Sequence, residues 1–168
     1  MKDILAEDKY DFIKTADKAF INEFDGQMNG IGYDYGDNIG SGYCWGRYML
    51  IYSKTGQKSK KVTARIYIRD NSIVLRLFLN DIDSHREYVE KAPDYIQEPF
   101  INSFGRCNHC RDNKESFCKF RKTYTLKDQF IEKCNGITFE FWNPSIDKIS
   151  EYIGLLTEFY PVKRAAKK

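Results

Sequence analysis

The chain has 168 residues, enough for one domain with a sizeable core, and its net charge of +3 is too small to imply nucleic acid as a partner. No apolar run approaches the roughly 20 residues of a membrane-spanning helix, and residues 1–8 hold no apolar signal stretch. The expectation is therefore a cytoplasmic single domain, residues 1–168, whose 12 Tyr and 12 Phe make its core, and one surface, rich in rings.

Residues 9–24 read as a first helix, because Phe12, Ala16, Ala19, Phe20 and Phe24 recur at helical steps. Residues 26–46 hold seven of the 11 glycines and read as a loop, with neither Walker nor Rossmann spacing. Three strands follow, at 43–53, 61–69 and 73–79. In the second, Val62, Ala64, Ile66 and Ile68 alternate with Thr63, Arg65, Tyr67 and Arg69. In the third, Ile73, Leu75, Leu77 and Leu79 alternate with Val74, Arg76 and Phe78. Period-two alternation predicts an antiparallel sheet covered on one face only.

Helical segments are expected over 84–92, opened by a capping box at Ser84-His85-Arg86-Glu87, and over 94–103 after the break at Pro93. Strands at 118–126 and 129–134 come next, and Asn135-Gly136 reads as a hairpin turn into 137–142. A last helix opens at Asn143-Pro144, with Ile146, Ile149, Ile153 and Leu156 as its buried stripe. Residues 162–168 read as a frayed basic tail. The fold class is α+β, an antiparallel sheet with helices on one face.

Cys107, Cys110, Cys118 and Cys134 follow the spacing C-x2-C-x7-C-x15-C. Four clustered thiols in a reducing compartment suit a tetrahedral zinc, and a closed four-thiolate site is structural rather than catalytic. Such a site would order the polar insert at 105–118, which has few apolar groups to bury. His109 lies inside the first cysteine pair and could replace a thiol. Reduced neighbouring thiols and a redox pair at Cys107 and Cys110 are the competing readings. Cys44, alone in an expected strand, reads as a small buried hydrophobe.

The sheet face opposite the aliphatic one would carry Arg65, Tyr67, Arg69, Arg76 and Phe78, joined by Trp45, Arg47 and Met49. Glu140 and Trp142 would point the same way from the strand at 137–142. Rings with a few charged groups make a platform for a small molecule. The expected ligand residues are Glu140, Trp142, Trp45, Tyr67, Arg65 and Arg76. On this reading, Glu140→Gln or Trp142→Ala should leave the fold intact and abolish ligand-induced stabilisation. A solvated sheet face, or a homodimer packed through it, would explain the same residues. His85, between Asp81, Asp83 and a helix start, reads as a capping or surface residue.

Tyr43-Cys44-Trp45-Gly46, Arg76-Leu77-Phe78-Leu79 and Phe139-Glu140-Phe141 before Asn143-Pro144 give residues 42–160 a resemblance. They are similar to small bacterial proteins related to the YdhG-like and GyrI-like domains. That resemblance implies ligand binding in a cleft on the sheet, with Glu140 as the acidic group and Trp142 and Trp45 as walls. The cysteine insert departs from the common pattern. Two alternatives stay open: a hydrolase using Glu140 as general base in the same cleft, and a zinc-knuckle-like module binding nucleic acid through the cysteine segment, with Arg106, Arg111, Lys114, Lys119, Arg121 and Lys122 around it, and the basic tail at 162–168.

Overall fold

The computed structural model describes residues 2–58, 61–102 and 118–161. Its first helix, α1 (Thr15–Gly30), starts and ends later than the apolar spacing predicts. Residues 8–10 form a separate 3-10 turn, and Ala16 and Ala19 face solvent. The stripe that α1 buries is Phe20, Ile21, Phe24 and Met28, with Asp25 beside it. Gly26 sits on the exposed side, where a helical glycine costs only about 1 kcal/mol. Burial of the opposite stripe outweighs that, so the helix runs through it. Gly32, at a φ of +87° open to glycine, ends the turn, its N–H bonding the Asn29 carbonyl.

The glycine-rich stretch is therefore not all loop. Its first part is helix, and β1 (Tyr33–Asp34) and β2 (Gly40–Ser41) both pair with the same strand, β3 (Tyr48–Lys54). Strands β3, β4 (Val62–Ile68) and β5 (Ile73–Phe78) form an antiparallel meander, as their alternation predicts. The chain returns to this sheet through β8 (Thr138–Trp142), which lies beside β5. The architecture is α+β with an antiparallel sheet.

Register sorts the side chains into columns. Leu50, Ile66 and Leu75 lie abreast on one face, as do Tyr52, Ala64 and Leu77. Helix α1 and the last helix, α4 (Ile149–Phe159), cover this face. Phe24 meets Tyr52 edge-on at 5.4 Å, and Tyr152 of α4 touches Phe20 and Phe141. The last helix starts later than Asn143-Pro144 suggests. Asn143, at a φ of 49°, donates its N–H to the Ile73 carbonyl and ends β8 instead of capping a helix. A 3-10 turn, Ile146–Lys148, then turns Ile146 outward, and the buried stripe becomes Ile149, Tyr152, Leu155 and Leu156.

The opposite face departs most from expectation. Met49, Tyr67 and Val74 lie abreast there and are buried, as is Arg76. The sheet is covered on both faces, because Trp45 folds back onto this column with Ile51 beside it.

The chain divides into two compact units, one drawn from Met1–Leu77 and Glu140–Lys168, the other from Phe78–Phe139. The second holds α2 (Arg86–Lys91), α3 (Asp94–Ile101) and the hairpin of β6 (Lys122–Leu126) with β7 (Gln129–Lys133). Its core stacks Phe100 on Phe139 at 4.2 Å, and the Tyr124 hydroxyl donates to the Phe100 carbonyl. Burial pushes that phenol up from its ordinary value.

Two local expectations fail in this unit. Ser84 does not cap a helix: its hydroxyl donates to Asp81, residues 82–85 form a 3-10 turn, and α2 starts at Arg86. Asn135-Gly136 does not close a hairpin either, since β7 pairs with β6 and β8 with β5. The hairpin turn is Lys127-Asp128, both left-handed, as a two-residue turn requires. Glu90 holds that turn by accepting the Lys127 N–H at 2.6 Å and the Arg86 guanidinium at 2.7 Å. Those bonds set its carboxyl below the usual range. Among the described residues, no helix is long and apolar enough to cross a membrane.

Candidate ligand site

The site is built around a 3-10 turn, Tyr43–Trp45, bracketed by two glycines. Space, not backbone angle, demands Gly46: its φ of 171° is extended, but a Cβ there would lie 2.6 Å from the Ile68 carbonyl oxygen. That oxygen also accepts the Arg47 N–H at 2.8 Å, so the turn is seated directly on the end of β4. Gly42 is buried in the same way, and a Cβ on it would collide with the carbonyls of Gly46 and Tyr48.

The turn delivers Trp45 onto the sheet. Its ring stacks on Tyr67 at 5.5 Å, and the Arg76 guanidinium lies over it at 4.0 Å, within cation–π range. The Tyr67 hydroxyl accepts from Arg76 at 3.1 Å and from Arg65 at 3.3 Å. Two arginines directly opposite each other in the register thus share one phenol oxygen. Across the next strand, Arg76 Nε lies 2.9 Å from Glu140 Oε1. This is a close ion pair, though the N–H is not well aimed at the carboxylate. The Arg76 side chain is 9% exposed and that of Glu140 17%, so both charges are largely withdrawn from water.

Five of the six expected ligand residues, Trp45, Tyr67, Arg65, Arg76 and Glu140, therefore converge, but chiefly on one another. The sixth, Trp142, is half exposed and lies under the Arg69 guanidinium at 5.1 Å. Beside this network a groove of about 550 Å³ runs between the Tyr43–Trp45 turn and the turn at 69–72. Tyr43, Trp45, Arg47, Arg69, Asp70 and Ser72 are among its walls. Glu140 lines neither this groove nor the other two cavities described here. Arg47 pairs with Asp70 at 3.4 Å and lies over the Phe12 ring, whereas Arg69 has no carboxylate partner among the described residues.

Cys44 is corrected as well. It projects from the turn into solvent at the groove's edge and is not a core residue. Tyr43 and Asp70 were missed as wall residues. The signal that could have found them is the pair Gly42 and Gly46 around an exposed Tyr-Cys-Trp, which marks a turn pressed against backbone rather than a strand.

Of the four expected metal ligands, Cys107 and Cys110 lie outside the described residues, as do His109, most of the insert at 105–118 and the tail at 162–168. Cys118 and Cys134 are both half-buried, and they sit at the same end of the β6–β7 hairpin. Lys122 pairs with Lys133 there, and the Gly136 N–H closes onto the Phe120 carbonyl. Among the described residues, no three His, Cys, Asp or Glu side chains form a metal-holding group. Of the basic residues near the cysteines, Arg121 is paired with Glu132 at 2.9 Å, and Lys119 lies over Phe120.

Comparison of the chain with protein-family models, with curated proteins and with solved structures finds no match in any of the three.

Proposed function

We propose that the protein is a small-molecule-binding domain whose ligand lies in the groove between the Tyr43–Trp45 turn and the turn at 69–72. The observation that supports this best is Arg69. It is a cation without a carboxylate partner among the described residues, set over one tryptophan ring and lining the same groove as the other tryptophan. Exposed Tyr43 adds a flat wall. This chemistry suits a planar anion, with a guanidinium for the charge and rings for the plane. The network of Arg65, Tyr67, Arg76 and Glu140 then supports Trp45 from beneath instead of touching ligand. That arrangement favours binding over hydrolysis, since the carboxylate a general base would need is engaged by Arg76.

Trp45 lines this groove and Trp142, the chain's other tryptophan, lies against Arg69 of its wall, so intrinsic fluorescence reports on it without a label. Titration with planar anions, beginning with aromatic carboxylates and mononucleotides, is expected to give saturable quenching at fixed protein concentration. Arg69→Gln should weaken the response at least about tenfold, the loss typical of one charge-assisted contact. An equal response in wild type and Arg69→Gln rules out this groove. Quenching that tracks protein concentration instead of ligand points to a homodimer through the same face.

The structural zinc belongs to the same proposal. Cys107, Cys110, Cys118 and Cys134 would hold it as thiolates, a reading supported by the position of Cys118 and Cys134 at the same end of the β6–β7 hairpin. Purified, chelator-free protein is expected to contain about one zinc per chain, released on thiol modification. A Cys118→Ser/Cys134→Ser variant with unchanged metal content would remove these residues from the site.

A further inference from the structure

Two guanidinium groups line the groove between the Tyr43–Trp45 turn and the turn at 69–72, and each is set over an aromatic ring. Arg47 lies over Phe12 at 4.3 Å, and Arg69 over Trp142 at 5.1 Å. A guanidinium over a ring keeps N–H donors to spare for an anion. The two arginines differ in what meets those donors. Arg47 has Asp70 at 3.4 Å, whereas Arg69 has no carboxylate partner among the described residues.

Asp70 stands on the wall opposite Arg47. Arg47 follows the Tyr43–Trp45 turn, its N–H on the Ile68 carbonyl. Asp70 belongs to the turn at 69–72, which the Arg69 N–H closes onto the Ser72 carbonyl at 2.9 Å. The Arg47–Asp70 pair therefore joins the two walls. Its side chains are 54% and 75% exposed, so it adds little to stability. Its effect falls instead on the charge of the groove. Arg47, Arg69 and Asp70 are the charged groups among the lining residues, two positive and one negative, which leaves one positive charge.

We propose, taking this groove as the ligand site, that it selects planar monoanions, and that Asp70 sets the selection by occupying Arg47. One carboxylate of the ligand pairs with Arg69. A second acidic group would need Arg47, where it must displace a tethered carboxylate and then stand beside a like charge. Tyr43 supplies the flat wall for the ring. It is 81% exposed and held at a φ of 52°, uncommon for a bulky residue, with its N–H on the Ser41 hydroxyl at 3.2 Å.

Benzoate and the three benzenedicarboxylates are the probes, since they share one ring and differ in charge and in the spacing of their acids. At neutral pH and constant ionic strength, tryptophan quenching is expected to show wild type binding benzoate at least as tightly as any dicarboxylate. Asp70→Asn keeps a turn-forming residue and removes the charge. It should shift the affinity ratio about tenfold towards at least one dicarboxylate, the gain of one charge-assisted contact. Adding Arg47→Gln to Asp70→Asn should cancel that shift, which ties it to Arg47 and not to net charge alone. Asp70→Ser repeats the measurement should Asp70→Asn fail to fold. A dicarboxylate preferred by wild type overturns the selection, as does a ratio unchanged by the Asp70 substitutions, while an Arg69-dependent benzoate response leaves the groove standing. No response to benzoate also overturns the selection, and an Arg69→Gln protein that responds like wild type removes the groove with it.

Discussion

Glu140→Gln is expected to destabilise the protein by about 3 kcal/mol, the usual cost of removing one partner from a buried ion pair. For a chain of this length that is a fall in melting temperature of roughly 10 °C. The loss does not come from the missing attraction alone. Arg76 is 9% exposed, and its charge would be left beside Trp45 and Tyr67 with no anion to balance it. The double variant Arg76→Met/Glu140→Gln should therefore recover most of the loss and melt within about 1 kcal/mol of wild type. Denaturant titration of the four proteins in the cycle decides the matter. Additive losses would mean that the two side chains do not act as a pair. This outcome reverses the expectation from sequence that Glu140→Gln would leave the fold intact.

Gly46→Ala is the second large effect, about 2–3 kcal/mol by the usual cost of overpacking. The added Cβ would lie 2.6 Å from the Ile68 carbonyl oxygen, which belongs to a paired strand and cannot rotate away. The turn must lift, and with it Trp45. Tryptophan emission should shift to the red as that ring leaves Tyr67 and Arg76, and binding in the groove should be lost with it. Gly30→Ala is the matched control, because nothing lies within 4 Å of a Cβ there and alanine suits a helix better than glycine. It should be neutral or stabilising by up to about 1 kcal/mol. Similar melting temperatures for the two variants would show that the turn is not pressed against β4.

What the sequence made legible is whatever depends on local alternation. Strands β4 and β5 fall almost where period two puts them, and Phe139 and Phe141 point inward while Glu140 does not. The pairing of Glu140 with Arg76 across two strands was foreshadowed only as a shared face. The misreadings share a cause, which is that distant segments set the outcome. Ala16 and Ala19 have the right spacing for a helical stripe, but α1 meets its sheet further along, at Phe20, Phe24 and Met28. Asn135-Gly136 has the residues of a hairpin turn, but β8 finds β5 as its neighbour instead of β7. Tyr67 and Arg76 read as an open ligand platform because no local pattern announces that Trp45, expected on a strand, sits on a turn that folds back over them.

The strand order has a consequence for how the chain is assembled. Strand β8 and the helix after it complete a sheet begun by residues up to 77, and a whole second unit is threaded between the two parts. During synthesis, residues 78–139 emerge as one continuous stretch whose partners lie nearby in sequence. The first unit must wait for β8, and then for α4 with the Tyr152 that packs on Phe20 and Phe141, to leave the ribosome. Its slowest contacts are those closing the longest loop, since that entropy is lost before any burial repays it. A chain interrupted before residue 140 would contain the whole of the second unit and would still lack Glu140, the ion-pair partner of Arg76.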